Sequence, residues 1–330
     1  MAPSDMAPTN SASEEPSFAE IRRMLAELPD ADGAARDAAR AASGPGMGRL
    51  GEMALFMAAW QARATPQMNH PRLCVFAASH GVAAGLNTDP AAMTEAAVQR
   101  FLDGNTPLNR LVDTLDADLR VYELSVEVPT ENAAERPAME EADCARAMTY
   151  GMIAVEPGID VLALASVSAE GALPAAALAS LLLGGSAGDW LGPQAGPARL
   201  ALVDKAVALH ADAKPDPLEA LRRLGGLDIA AMAGAILACR FARTPVLIDG
   251  IEGLAAAALL RALSPAAIDH CLWAHAGAGP DSAPAKLAAR LGLTPLADLG
   301  LASGDGIGSA IAIGILKAAI ACQAEAGTRN

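Results

Sequence analysis

Short, mainly apolar runs recur along this chain, each stopping at a polar or glycine-bearing loop with a helical segment behind it. They lie at 72–77 (RLCVFA), 160–165 (DVLALA), 245–248 (PVLI) and 271–274. A strand with no polar face must be covered on both sides, which is the condition of a parallel sheet. Strand–loop–helix units occur at least four times, so the expected class is α/β: a mainly parallel sheet with helices on both faces. Ligands of such sheets bind in the crevice beyond the carboxyl ends of the strands. The loops after Ala77, Ala165, Ile248 and Ala274 are therefore expected to line one site.

The remaining pattern fills in around these runs. Residues 120–128 (RVYELSVEV) alternate well enough for a further strand. Helices are expected at 18–28, 32–42, 50–60, 93–102, 108–115, 139–152, 174–183, 200–210, 217–224, 228–242, 254–263 and 283–291. A last helix runs to Cys322, and 184–197 reads as a loop. The tail at 1–17, rich in Ser, Pro, Ala and Glu, is expected to be disordered. Helices at 18–70, together with the glycine-rich loop and helix of 299–330, are expected to form a small helical domain beside a large α/β domain at 71–298.

Charge excludes some functions. A net charge of −14 with few clustered basic residues argues against binding nucleic acid or an anionic membrane, while an anionic small molecule can still be held by locally positive loops. Aromatic residues are only 3% of the chain, which leaves little surface for stacking bases. Five scattered cysteines without CxxC spacing read as small buried hydrophobes of a reducing compartment. The N-terminus lacks the layout of a signal peptide, and the longest apolar stretch, 307–322, contains Lys317 and two glycines. A cytoplasmic location is expected.

Candidate chemistry is sparse. The segment 300–308 (GLASGDGIG) opens the last helix, and its glycines bare first-turn amides that bind anions. It follows no expected strand and lacks GxGxxG spacing, so a dinucleotide fold is not supported. Asp305, between Gly304 and Gly306, is either an N-cap or a catalytic group, and the pattern alone favours the cap. His80 is either a base or a structural histidine, the second being the commoner case. His270 and His275 do not form a helical metal pair, no HExxH occurs, and no metal or other cofactor is expected. Met24, Met53, Met57 and Met232 read as core filler.

Several motifs carry a resemblance that spacing does not reveal. The run 221–234 (LRRLGGLDIAAMAG), VLIDG at 246–250, DHC at 269–271, GRL at 48–50, SHGV at 79–82 and GDGIG at 304–308 resemble the nicotinate-nucleotide–dimethylbenzimidazole phosphoribosyltransferase family, from Phe18 to Cys322. The resemblance implies an α/β fold with a small helical domain built from both termini, and typically a homodimer. It implies transfer of phosphoribose from nicotinate mononucleotide to 5,6-dimethylbenzimidazole, giving the α-ribazole phosphate of the cobalamin lower loop. No cofactor is needed, because the pyridinium nitrogen of the donor already makes a good leaving group.

Measured against that family, this chain departs at its ligand loops. The family's GEG, whose glutamate is the general base, matches Gly304-Asp305-Gly306, so Asp305 is the implied base. One methylene less withdraws the oxygen by roughly 1 Å, which costs on the order of a hundredfold unless the loop advances. The family's GExGxxNTT loop matches 165–173: its glutamate is Ser166 here and the Asn and Thr pair are absent, with Glu170 a substitute in shifted register. The family's DHG or NHG reads Ser79-His80-Gly81, and its PPGxLGRLE loop is shortened to GPGMGRLGE at 44–52. The loop after His275 is altered up to Ser282, and Arg199 matches a basic residue near the phosphate. The implied substrate-binding set is thus Ser79, His80, Ser166, Glu170, Gly171, Arg199, His275, Ser282, Gly304 and Gly306. The alternative reading is a catalytically degenerate homologue that binds a base or nucleotide, or pairs as a partner subunit with an active relative.

Overall fold

A computed structural model describes residues 16–44, 46–302 and 304–326 of the 330-residue chain. The tail expected at 1–17 falls, apart from Pro16 and Ser17, outside the described residues. Six strands form one all-parallel sheet in the order β2-β1-β3-β4-β5-β6. They are β1 (Pro71–Ala77), β2 (Asp118–Glu123), β3 (Val161–Ser166), β4 (Val246–Ile248), β5 (Cys271–His275) and β6 (Pro295–Ala297). The chain leaves β1 for β2 on one side and returns to β3 on the other, so the strand order reverses at β1.

The apolar runs form the centre of this sheet because both of their faces are covered. Cys74, Phe76, Leu162, Leu164, Val246 and Ile248 face a layer built by helices Glu141–Met152, Ala172–Leu183, Leu227–Phe241 and Gly250–Leu263. Leu73, Val75, Val161, Ala163 and Leu247 face the other layer, from helices Gly48–Gln61, Pro107–Thr114 and Ile307–Ala326. Helices Gly48–Gln61 and Ile307–Ala326 also pack on one another, joining sequence near the two ends in one core. On the first face, helices Glu141–Met152 and Leu227–Phe241 cross through glycines. A Cβ on Gly151 would lie 1.8 Å from the Ala231 carbonyl oxygen, and one on Gly234 1.9 Å from that of Met148. Only glycine permits that approach.

The structure differs from the sequence pattern in four places. The strand expected at 120–128 ends at Glu123, because β2 is an edge strand whose only neighbour, β1, ends at Ala77. After the Leu124 amide donates to Ala77 O (2.9 Å), Ser125 turns the chain at φ +49°. The apolar alternation beyond it reflects Leu124 and Val126 buried in a loop. The stretch 184–197 contains a short helix, Ala187–Leu191, at whose start the Asp189 carboxylate accepts from Ser186 N and Oγ, both 2.8 Å. Strand β6 was not expected: it is three residues long, opens with a proline and is half-buried at the sheet edge. Four cysteines are buried as expected, but Cys322 is exposed, on the outward face of the last helix. Among the described residues no helix is long and apolar enough to cross a membrane.

Candidate active site

A cavity of about 350 Å³ opens at the carboxyl end of β3, next to β1, where the strand order reverses. Ser166, Val167, Ser168, Gly304 and Asp305 line it from the strand-end loops. The end of helix Pro90–Leu102 contributes Ala97, Arg100 and Phe101, and the start of helix Pro107–Thr114 contributes residues 105–108. A wider groove of about 620 Å³ beside helix Glu141–Met152 contains none of the expected site residues.

Asp305 reaches this cavity because its loop is pressed onto two strand ends. Gly304 packs backbone to backbone on Gly250, just past β4; a Cβ on Gly304 would lie 2.5 Å from Gly250 Cα. Gly304 O accepts from the Ser166 amide at 3.4 Å, and Gly306, at φ +94°, sits against Leu108 and Ala165. The loop does follow a strand, β6, contrary to the sequence reading, which had no signal for so short an edge. Asp249 ties the loop's far side: its Oδ1 accepts from Gly250 N (3.0 Å) and its Oδ2 from Ser309 N (3.1 Å) in the first turn of the last helix. Burial pushes the Asp249 carboxyl up to about 6. The two amides oppose that shift, and the negative charge of Asp305 adds to it.

Behind the cavity lies a buried polar network. Asp228 Oδ2 accepts from Ser168 Oγ (2.7 Å) and Ser166 Oγ (3.1 Å), while Oδ1 accepts from Ile229 N (2.8 Å) and stands 3.5 Å from His80 Nε2. Burial alone would raise the Asp228 pKa; the charge attraction of nearby His80, with the hydrogen bonds from Ser168 and Ile229, outweighs it and holds Asp228 below the usual carboxylate range. Ser168 Oγ also accepts from Ala78 N (2.9 Å), so one hydroxyl joins the loops after β1 and β3 to helix Leu227–Phe241. Nearby, the Glu252 carboxyl lies between Gly171 and Gly250. Burial pushes it up to about 7; its own amide and His80 oppose the shift, and Asp228 and Asp249 add to it.

The structure brings Ser166, Gly304 and Asp305 together on one cavity wall and links His80 to it through Asp228. The other candidate residues line other contacts. The Ser79 hydroxyl donates to Val126 O (2.6 Å), holding two loops together. Glu170, at φ +57°, forms a two-point ion pair with Arg199, whose Nε donates to Oε2 at 2.8 Å. Gly171 precedes helix Ala172–Leu183. The ring nitrogens of His275 contact the Gly277 amide (2.9 Å) and the Leu299 amide (2.7 Å), and burial holds its pKa below the usual histidine value. Ser282 caps helix Ala283–Arg290, accepting from Ala285 N at 3.4 Å. Among the described residues no group of three or more His, Cys, Asp or Glu can hold a metal ion.

A family model described as phosphoribosyltransferase matches residues 29–330. The chain belongs to this family. It is 44% identical over 324 residues to the nicotinate-nucleotide–dimethylbenzimidazole phosphoribosyltransferase of Rhizobium etli, covering 94% of this chain and 95% of that one. It is 42% identical to the protein of the same name from Methylocella silvestris, over 92% of each chain. Among solved structures it is similar to the nicotinate-nucleotide–dimethylbenzimidazole phosphoribosyltransferase of Thermus thermophilus. That match has a TM-score of 0.79 and 30% identity, and covers 91% of this chain and all of that one.

For a phosphoribosyltransferase, the cavity adds residues outside the set expected from the sequence, Arg100, Phe101 and Thr106 on the helical wall and Asp228 and Glu252 behind it, and it singles out Ser168 within the expected 166–171 loop. Arg100 and Thr106 sit in ordinary helix-end sequence and carry no motif. Asp228 and Glu252 lay inside motifs read for resemblance, where a carboxylate on an Ala-rich helix facing a strand end was itself a usable signal.

Proposed function

We propose that this phosphoribosyltransferase moves phosphoribose from nicotinate mononucleotide to 5,6-dimethylbenzimidazole, giving α-ribazole 5′-phosphate for the cobalamin lower loop. Relatives of that name align over more than nine tenths of the chain. The observation that carries the reading is Asp305 in the wall of the strand-end cavity. An acceptor ring nitrogen attacks the anomeric carbon as the bond from that carbon to the pyridinium nitrogen breaks, and nicotinate leaves with the electron pair. The Asp305 carboxylate takes the proton that the benzimidazole loses. Apolar Phe101, Pro107, Leu108 and Val167 suit a flat heterocycle, and Ser166 and Ser168 stand beside it with hydroxyls oriented by Asp228. The Arg199–Glu170 pair braces the loop after β3. The proposed working form is a homodimer, as the family resemblance implies, in the cytoplasm, as the scattered cysteines and the N-terminal sequence suggest.

Turnover of nicotinate mononucleotide with dimethylbenzimidazole tests this directly. Asp305→Asn is expected to lower kcat by about 10²–10⁴-fold, the usual contribution of a positioned base. A wild-type protein that makes no α-ribazole phosphate, with no rescue by Asp305→Glu, sinks the proposal. Calorimetry showing tight donor binding without turnover would instead favour a degenerate or partner-subunit role.

A further inference from the structure

Of the residues that line the cavity beside Asp305, one is basic: Arg100, in the last turn of helix Pro90–Leu102. Among the described residues its guanidinium makes neither an ion pair nor a side-chain hydrogen bond, and the Asn105 side-chain amide in the same wall is likewise unbonded. Arg199, the cation that the sequence suggested for the phosphate, is committed to Glu170 by two contacts. Using it for a ligand would break an ion pair and leave the carboxylate of Glu170 without its partner. A chain with 38 acidic and 24 basic residues repels anions at long range. A local, uncommitted cation therefore offsets that repulsion where an anionic substrate docks. A guanidinium meets phosphate or carboxylate with two parallel hydrogen bonds.

We infer that Arg100 grips an oxyanion of the phosphoribosyl donor, either its 5′-phosphate or its ring carboxylate, in the cavity that Asp305 lines. The inference rests on the phosphoribosyl-transfer reading for the identity of the donor. Arg100 is exposed and makes no ion pair, so replacing it leaves the fold intact, which an unchanged melting temperature verifies.

Calorimetry and steady-state kinetics on wild type, Arg100→Gln and Arg100→Lys provide the test. Arg100→Gln is expected to weaken nicotinate mononucleotide about tenfold or more, in binding and in KM, the usual scale for losing a charge-assisted contact. Lysine should restore part of the loss, and KM for dimethylbenzimidazole should stay within about twofold, since a neutral acceptor does not use the cation. Three further probes identify the group: nicotinamide mononucleotide lacks the carboxylate, nicotinate riboside lacks the phosphate, and inorganic phosphate carries neither ring nor sugar. The probe whose binding no longer responds to Arg100→Gln names the oxyanion that Arg100 holds. Equal donor affinity in wild type and Arg100→Gln overturns the inference while leaving the proposed reaction standing. A wild type that binds donor in an Arg100-dependent way but makes no product overturns the reaction alone. A wild type that binds neither donor nor inorganic phosphate overturns both.

Discussion

Replacing Glu252 with glutamine should stabilise the folded protein above neutral pH. Its carboxyl sits in the first turn of helix Gly250–Leu263, against Gly171 and Gly250, where burial raises its pKa from an ordinary 4.5 to about 7. A carboxyl with a raised pKa keeps its proton in the folded state over a range where the unfolded chain has already released it. Its contribution is therefore neutral below about 4.5, falls as pH rises toward about 7, and stays at its most unfavourable above that. At about 1.4 kcal/mol per pKa unit, the full effect is about 3 kcal/mol, an upper value because the side chain keeps some contact with solvent. Glutamine has nearly the same shape and does not ionise. Urea denaturation of wild type and E252Q at about pH 4.5, 6 and 8 reads the difference directly. The variants are expected to match at the lowest pH and to differ by about 1–3 kcal/mol in favour of E252Q at the highest. Asp249, raised to about 6, slopes the same way in both proteins, and the part of the Glu252 shift that its charge supplies belongs to the difference between them. A difference that stays flat with pH, or a variant less stable at about pH 8, refutes the reasoning.

Three further perturbations follow from packing, two of them at glycine contacts described above. Gly304→Ala drives a Cβ toward Gly250 Cα at 2.5 Å, so the Asp305 loop must shift; kcat/KM is expected to fall on the order of a hundredfold with little change in melting temperature. Gly234→Ala drives a Cβ into the Met148 carbonyl at 1.9 Å, which should lower the urea-unfolding free energy by about 1–3 kcal/mol without changing KM. Arg240 is buried, with Nε and Nη1 unbonded and its guanidinium 4.3 Å from the Trp60 ring centroid, and burial lowers its pKa. Arg240→Met should therefore be neutral or stabilising by about 1 kcal/mol in thermal unfolding, since it removes an ill-satisfied buried charge and keeps the packed stem.

The sheet was legible because its central strands are apolar on both faces, and runs such as 72–77 and 160–165 leave no other way to bury themselves. Strand β6 was not, because three half-buried residues opening with proline carry no period. The end of β2 was misread for the opposite reason: Leu124 and Val126 are buried, but in a loop whose neighbouring strand has already stopped. In the site, Asp305 stood out through its flanking glycines. The commitment of Glu170 to Arg199 did not, since nothing in either local sequence says that residues 29 positions apart meet. Arg100 and Thr106 were hidden for the same reason: a cavity wall assembled from two helix ends exists only after folding.

The contact between Gly304 and Gly250 gives Asp305 no independent address. Its loop rests on the opening turn of another helix with no side chain between them to absorb a mismatch, so a tilt or slide of helix Gly250–Leu263 is handed on to the Asp305 carboxylate undiminished. Substitutions along the buried flank of that helix, far from either substrate, are therefore places where the geometry of the chemistry can be tuned or lost.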